Sequence, residues 1–178
     1  VLDYAHFYIR KSSYYRHVAQ QDSSIFCAKK GLEFANKYNQ DWHRNDAYLL
    51  LGHLLAEDQP LISCEYYKLA AKLYLLRTKY DHAFSMYSGV ASILSDQDSM
   101  DLALNYLDTA LQVHSLTKEV IPYYFHGLKS KMYYKIGESD SAMVYANHRF
   151  EAYQTSIETR NTEEINRLTI TFETEKKE

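Results

Sequence analysis

The sequence predicts an all-α fold, a solenoid of about four helix pairs followed by a C-terminal helix. Apolar residues recur at helical spacing through most of the 178 residues, and apolar alternation at the period of a β-strand is never sustained. Only 5 Gly and 2 Pro occur, far fewer than in loop-rich or disordered proteins. The strongest indication is a repeat with a period of about 39 residues, since a period near this length is typical of stacked helix pairs.

The repeat is clearest in the second helix of each pair. Three columns recur there at one constant interval: Cys64, Ala103 and Ala142; Tyr67, Tyr106 and Tyr145; and Ala71, Ala110 and Arg149. Counting back from Ala71 by 40 residues, one more than the interval between the later units, reaches Gly31. This residue extends the series to a first unit. In the first helices, glycines recur at slightly shorter intervals, as Gly52, Gly89 and Gly127.

The repeat divides the chain into units at about 1–40, 41–79, 80–117 and 118–155, with a separate segment at 156–178. Within the units, the apolar pattern predicts helices near 3–19, 24–38, 42–57, 60–77, 80–95, 99–114, 119–136 and 140–155.

Several side chains at the breaks between helices suit helix starts. Asp22 or Ser23, Asp41, and Asp98 or Ser99 can cap a helix by accepting hydrogen bonds from its free N–H groups. Pro60 suits a first helical position and Pro122 a first turn, because proline has no N–H group to leave unpaired. Gly137 marks a tight turn between the last two helices of the repeat.

The segment from residue 156 onward differs from the repeats. Asn161, Ile165, Leu168 and Phe172 are spaced like one face of an amphipathic helix, and charged residues surround them. One interpretation is a capping helix that covers the fourth unit around residues 145–153. The other is a helix that pairs with a second copy of the chain, although a coiled coil normally needs three or four heptads. We favour the cap from the sequence.

Composition and charge exclude several classes of protein. A net charge of −3 argues against general affinity for nucleic acid. No run of 18 apolar residues occurs, so the sequence itself contains no membrane-spanning helix. Cys27 and Cys64 match no metal or redox spacing, and we expect both to be small buried core residues. The chain begins at Val1 rather than at methionine, and we expect it to be a fragment of a longer protein.

The sequence contains no recognisable catalytic or metal-binding motif. Glycine-rich phosphate loops, GxSxG elbows and HExxH helices are absent. The nearest approach to a metal cluster is Asp41, Trp42 and His43 with Asp46, but these residues do not share one helix face. We therefore expect a protein that is not an enzyme and that binds neither a metal nor a cofactor.

The stretch from Leu49 to Tyr74 resembles a tetratricopeptide repeat (TPR). It contains two helical patterns broken at Pro60, with Gly52 in the first and Tyr67 and Ala71 in the second. A glycine permits close approach of two helices, an aromatic ring fills the wedge between them, and an alanine leaves room for the neighbouring helix. The resemblance implies a right-handed superhelix, in which the first helices present their inner faces to a peptide or protein segment.

Carrying the inward positions of this repeat onto the sequence gives a candidate groove. Its residues are Asp46, Leu49, His53 and Ala56; Ala83, Met86, Val90 and Ile93; Ile121, Tyr124, Leu128 and Lys131; and His6, Ile9, Ser13 and Arg16. We select seven as candidate binding residues: Arg16, Asp46, Leu49, His53, Met86, Tyr124 and Lys131. The set lacks the Lys and Asn clamp for a C-terminal carboxylate, so the chaperone-binding version of the repeat is not expected.

The final segment is similar to one that closes the repeat array in a family of bacterial membrane-anchored regulators. The resemblance rests on residues 172–178, FETEKKE, which follow Ile165 and Leu168. In that family an extracytoplasmic TPR array precedes one transmembrane helix and a helix-turn-helix or histidine-kinase output domain. The resemblance therefore implies that this chain is a periplasmic sensor module. Such a module would reach the membrane only through sequence downstream of it. The alternative is a freestanding scaffold or adaptor for protein assembly, which would be cytoplasmic.

Overall fold

A computed structural model of the chain describes residues 3–117 and 119–175. It forms two compact units, Val1–Glu119 and Val120–Glu178. The first unit contains α1 (Tyr4–His17), α2 (Gln21–Lys37), α3 (Asp41–Leu55), α4 (Pro60–Leu76), α5 (Tyr80–Asp96) and α6 (Met100–His114). The second contains α7 (Tyr123–Lys135) and α8 (Ser139–Glu175). Over the described ranges the structure contains helices and turns but no strand, so the predicted all-α class is confirmed.

Within the first unit, α1 to α6 pack consecutively, each against the next of these six helices, and α1 also contacts α3. In the second unit α7 packs against α8. A serine hydroxyl links the two helices of three pairs. Ser24 Oγ donates to the Ser12 carbonyl at 2.9 Å, Ser63 Oγ to the Gly52 carbonyl at 2.6 Å, and Ser130 Oγ to the Ala142 carbonyl at 2.8 Å.

These hydroxyl contacts correct the alignment of the first unit. Ser24 and Ser63 make equivalent bonds, so the second helices of the first two units are related by the same interval as the later ones, and not by the longer one that matches Gly31 to Ala71. Gly31 accordingly faces its own partner helix, because a Cβ placed there would lie 2.9 Å from Ile9 Cγ1 in α1. Ala71 instead packs with Ala83 of α5, the helix that follows its own pair.

Tyr67 occupies the space between two first helices. A Cβ at Gly52 would lie 2.9 Å from Tyr67 Cε1, and a Cβ at Gly89 would lie 3.8 Å from Tyr67 Cε2. The glycines of α3 and α5 therefore flank one ring on its two edges. At the later repeat positions, Tyr106 stacks on Tyr87 with centroids 6.2 Å apart, and Tyr145 stacks on Tyr133 at 5.3 Å.

The remaining small residues of the repeat columns are buried or lie under a long side chain. Ala71, Ala110 and Ala142 are buried, whereas Arg149, in the column of Ala71, is exposed. The aliphatic part of Arg149 covers Gly127, where a Cβ would lie 3.0 Å from Arg149 Cδ. Cys27 and Cys64 are both buried and free, as expected for core residues, and burial raises the pKa of each thiol.

Helix starts differ in part from the predicted caps. Gln20 and Gln40 occupy the N-cap positions of α2 and α3, whereas Ser99 is the N-cap of α6 as predicted, and none of the three makes a side-chain capping bond. The turns are so short that Asp22 and Asp41 already lie in the first helical turn. Pro60 does begin α4, as predicted.

The start of α7 was predicted too early. Pro122 is its N-cap and has extended backbone with ψ 143°, so the helix begins at Tyr123 and not near residue 119. The reason is that a residue preceding proline disfavours helical geometry, which keeps residue 121 out of the helix.

The boundary expected near residue 155 is absent. α8 continues for 37 residues, about 55 Å at 1.5 Å per residue, because no Gly or Pro interrupts residues 139–175. Ile165, Leu168 and Phe172 are 63%, 57% and 57% exposed. Since they share one unbroken helix with residues 145–153, they cannot fold back to cap those residues, and the capping interpretation is wrong. The last residues of the charged string, 176–178, lie outside the described residues.

Five turns end with a residue in the left-handed conformation. Ala19, Asn39, Thr78 and Asp98 have φ between 53° and 56°, and Gly137 has φ 84°. The N–H group of the next residue then reaches back over the helix end, as in Gln20 N to Tyr15 O at 2.9 Å and Glu138 N to Tyr133 O at 2.9 Å. This arrangement satisfies free carbonyls at the helix C-terminus.

Because residues with a Cβ lose about 1–2 kcal/mol in this conformation, Ala19→Gly is expected to stabilise the protein by about 1 kcal/mol. Gly137→Ala, whose Cβ would meet open space, is expected to destabilise it by a similar amount for the same reason. Urea denaturation of both variants measures the two changes. Equal stability of Gly137→Ala and wild type would contradict the left-handed assignment of this turn.

Candidate peptide-binding surface

Predicted groove residues of α1 and α3 lie close together in the first unit. His6, Arg16, His43, Asp46 and His53 define what we call the α1–α3 surface. The His6 and His43 rings stack with centroids 5.6 Å apart. The charge of Arg16 acts on His53, and that of His6 acts on Asp46. The surface therefore combines one carboxylate with several cationic or titratable groups.

Asp46 is a half-buried carboxylate on this surface. Burial raises its pKa, while the neighbouring charges of His43, Arg77 and His6 act in the opposite direction. His43 Nδ1 lies 4.0 Å from Asp46 Oδ2, which is too long for a hydrogen bond. The carboxylate therefore lies near Arg77 and two imidazole rings without a hydrogen bond to His43.

His43 and Arg77 each have one buried nitrogen atom that lacks a hydrogen-bond partner within the described residues. His43 Nε2 lies 2.9 Å from Asp3 Oδ2, but its Nδ1 is buried without a hydrogen-bond partner among the described residues. Arg77 lies over the exposed Trp42 ring at 5.1 Å from its centroid, and its Nη1 is likewise buried and unpartnered within the described ranges. Buried polar groups are normally paired, so these two nitrogen atoms are exceptions within the described residues.

His53 is connected to the repeat packing through Tyr67. Tyr67 Oη and His53 Nδ1 form a hydrogen bond of 2.7 Å, and the two rings meet edge to face. Burial lowers the pKa of His53, and the positive charge of Arg16 lowers it further. Burial also raises the pKa of Tyr67 to about 12. Both effects favour the neutral imidazole of His53, although the residue as a whole is exposed.

Other predicted inward positions are less accessible. Ile9, Ala83 and Val90 are buried and cannot face a ligand, because their side chains fill the space between helices. Leu49 is half-buried, and Met86 packs against the core cluster of Ala71, Ala83 and Val113. Five more of the predicted inward positions are half-buried: Ser13, Ala56, Ile93, Ile121 and Leu128.

Tyr124 and Lys131 belong to the second unit and are exposed there. Tyr124 lines a groove of about 530 Å³ between the start of α7 and the middle of α8. Its wall is mostly apolar, with Tyr123 and Ala152 on it, and Arg160 and Glu163 supply the charged groups. This groove is a separate candidate surface.

The residues that the sequence suggested as a possible metal cluster pair with other side chains. Asp41 forms an ion pair with Arg44, one turn away in the same helix, while His43 lies between Asp3 and Asp46. Over residues 3–117 and 119–175, no group of three or more His, Cys, Asp or Glu side chains is placed to hold a metal ion.

Sequence reasoning did not identify the contact between Trp42 and Arg77, which lies beside the α1–α3 surface. They come from different parts of the chain, and no local spacing connects residues so far apart. Only the packing of α4 against α3 brings the guanidinium over the indole ring.

Neither models of known protein families nor curated proteins match this chain. Among solved structures, it is similar to the apo form of RapI, a TPR-like helical repeat protein, with a TM-score of 0.76. The match is 12% identical and covers 89% of this chain but only 59% of the RapI chain. At this identity the similarity establishes the fold alone. The chain has a TPR-like helical-repeat fold.

Proposed function

We propose that the chain is a non-enzymatic module that binds an extended peptide or protein segment on the α1–α3 surface. The observation that carries the proposal is the half-buried carboxylate of Asp46, on which the charges of His43, Arg77 and His6 act. An extended peptide has both N–H donors and carbonyl acceptors along its main chain, so it can use both kinds of group. The TPR-like fold supports a role in protein interaction.

Arg16→Ala and Asp46→Asn are expected to weaken peptide binding about tenfold or more, since loss of a charged contact at the centre of an interface typically has this effect. The probe is a set of peptides selected from a phage-displayed random library against the wild-type protein. Fluorescence anisotropy with the labelled peptides then gives the dissociation constants of each variant. The control is Lys29→Ala, an exposed residue of α2, which is expected to leave binding unchanged.

Selected peptides that bind Asp46→Asn and Arg16→Ala as tightly as wild type would contradict the proposed site. A library selection that yields no specific peptide would contradict peptide binding as the function. Circular dichroism of the variants, compared with wild type, ensures that a loss of affinity is not a loss of fold.

We further propose that the module is the extracytoplasmic sensor region of a membrane-anchored regulator. The support is the resemblance of its final segment to that family, together with the protein-interaction character of the fold. No helix within the described residues is long and apolar enough to cross a bilayer. A reading frame that continues past Glu178 into about 20 apolar residues would support the anchored regulator. A stop codon directly after Glu178 would favour the freestanding scaffold instead.

A further inference from the structure

The hydrogen bond between Tyr67 and His53 determines which nitrogen atom of His53 carries its proton. Tyr67 Oη lies 2.7 Å from His53 Nδ1, and no other acceptor for this hydroxyl is present among the residues that the structure describes. Tyr67 is buried, so a hydroxyl proton without an acceptor would destabilise the fold. The hydroxyl therefore donates to Nδ1. Because a neutral imidazole has one N–H group, that group lies at Nε2.

Close packing holds this arrangement in place. The Tyr67 ring lies between α3 and α5, beside Gly52 and Gly89, and meets the His53 ring edge to face with centroids 5.4 Å apart. Because burial raises the pKa of Tyr67 to about 12, its hydroxyl keeps the proton that it donates at physiological pH. Tyr67 is therefore a positioning residue for His53. The imidazole belongs to an exposed residue, and its Nε2 has no hydrogen-bond partner within the described part of the chain.

A second donor comes from the neighbouring helix α1. Arg16 is exposed, and after burial its positive charge is the second cause that lowers the pKa of His53. Its guanidinium forms no ion pair within residues 3–117 and 119–175. A guanidinium has five N–H donors and no acceptor. His53 and Arg16 therefore present donors on one side of the α1–α3 surface, and the group that complements them is an acceptor with a negative charge.

We propose that His53 and Arg16 together recognise an acidic side chain, Asp or Glu, of the bound segment. This inference rests on the proposed function and names the ligand chemistry at one end of the same surface. The carboxylate accepts one hydrogen bond from His53 Nε2 and one from the Arg16 guanidinium. A main-chain carbonyl could also accept from His53, but hydrogen bonds between ionised groups, as at Arg16, are about twice as strong as neutral ones.

Asp46 is the carboxylate of this surface that could oppose such a ligand. It lies seven residues before His53, so the two side chains share one face of α3 and are separated by about 10 Å along the helix axis. This separation is about one Debye length at 0.1 M salt, which weakens the repulsion between Asp46 and the bound carboxylate. The acidic side chain is therefore expected at the His53 end of the surface and not beside Asp46.

Affinities of protein and peptide variants test the pairing. The probe is a peptide selected from the phage-displayed library, together with versions in which each Asp or Glu is replaced by Asn or Gln. One replacement is expected to weaken binding to the wild type about tenfold, but binding to His53→Leu by no more than about threefold. His53→Gln keeps an N–H donor near the position of Nε2 and is expected to retain most of the affinity. The control is His148→Leu, at an exposed histidine of α8, which is expected to bind like the wild type.

Nitrogen-15 NMR of the free protein tests the donor separately from binding. The neutral imidazole of His53, identified by the loss of its signals in His53→Gln, is expected to be protonated at Nε2 and not at Nδ1. The Nδ1 signal is expected to move in Tyr67→Phe, which keeps the ring but removes the hydrogen bond. A neutral His53 that is protonated at Nδ1 would overturn the inference.

The binding results separate this inference from the proposed function. Peptides that depend on Asp46 but tolerate replacement of every acidic residue would overturn the inference and leave peptide binding on the α1–α3 surface in place. The same conclusion would follow if the replacement weakened binding to the wild type and to His53→Leu equally. A selection that yields no peptide would overturn both. Circular dichroism of the His53 variants shows whether a change in affinity occurs in the folded protein.

Discussion

Replacing Tyr67 by alanine is expected to lower the free energy of unfolding by about 3–5 kcal/mol, as for other buried aromatic residues. The ring is 6% exposed and lies between the backbones of Gly52 and Gly89, so its removal leaves a cavity between three helices. Close-packed helices relax only partly into such a space. Urea denaturation of Tyr67→Ala gives the loss directly.

Two further variants separate the parts of this effect. Tyr67→Phe keeps the ring but removes the hydrogen bond to His53 Nδ1, and a loss of about 1 kcal/mol is expected. Tyr134→Ala removes a ring that is 75% exposed and is expected to change stability by less than about 0.5 kcal/mol. A Tyr67→Ala variant as stable as Tyr134→Ala would show that the wedge between the helices is misplaced.

Replacing Ala71 by leucine is expected to destabilise the protein by about 1–3 kcal/mol through overpacking. Ala71 is fully buried, and its methyl group packs with Ala83 and Val113 from α5 and α6. A larger side chain at this crossing must move α4 away from α5 or adopt an unfavourable rotamer. Thermal or urea denaturation measures the loss.

The control for this substitution is the adjacent position in the same helix. Lys72 is exposed, and Lys72→Leu adds a comparable apolar side chain without entering the crossing. It is expected to change stability by less than about 0.5 kcal/mol. If Ala71→Leu were as stable as Lys72→Leu, the crossing of α4 with α5 would not lie at Ala71.

The sequence carried enough information to predict the helix class and most helix positions. The repeat columns at Tyr67 and Ala71 reflect close helix contacts, and such contacts restrict residue size at fixed intervals. Turn details were harder to predict. The left-handed residues Ala19, Thr78 and Asp98 are not glycines, so the short turns that displaced the predicted caps had no clear signal.

The length of α8 could not be predicted from the spacing of its apolar residues. This spacing stays helical along the whole segment, although the later residues are exposed. Residues 157–174 keep an amphipathic spacing that fits either a short covered helix or a long exposed one. The absence of Gly and Pro between residues 139 and 175 was the available signal for one continuous helix.

The candidate surface was only partly accessible to sequence reasoning. The inward positions of the repeat located Arg16, Asp46 and His53, which lie on α1 and α3. The same positions also gave buried residues such as Ala83 and Val90, because a repeat position does not specify how deeply a particular side chain lies. The contribution of Arg77 depends on packing between α3 and α4, which no single helix pattern reveals.

Hydrogen–deuterium exchange with a library-selected peptide tests the proposed binding site most directly. Binding on the α1–α3 surface is expected to slow amide exchange in α1 and α3, around Arg16, Asp46 and His53, where ordering by a ligand suppresses local opening. Exchange in α8 is expected to remain unchanged. Protection confined to α7 and α8, with α1 and α3 unaffected by saturating peptide, would contradict the assignment of the α1–α3 surface.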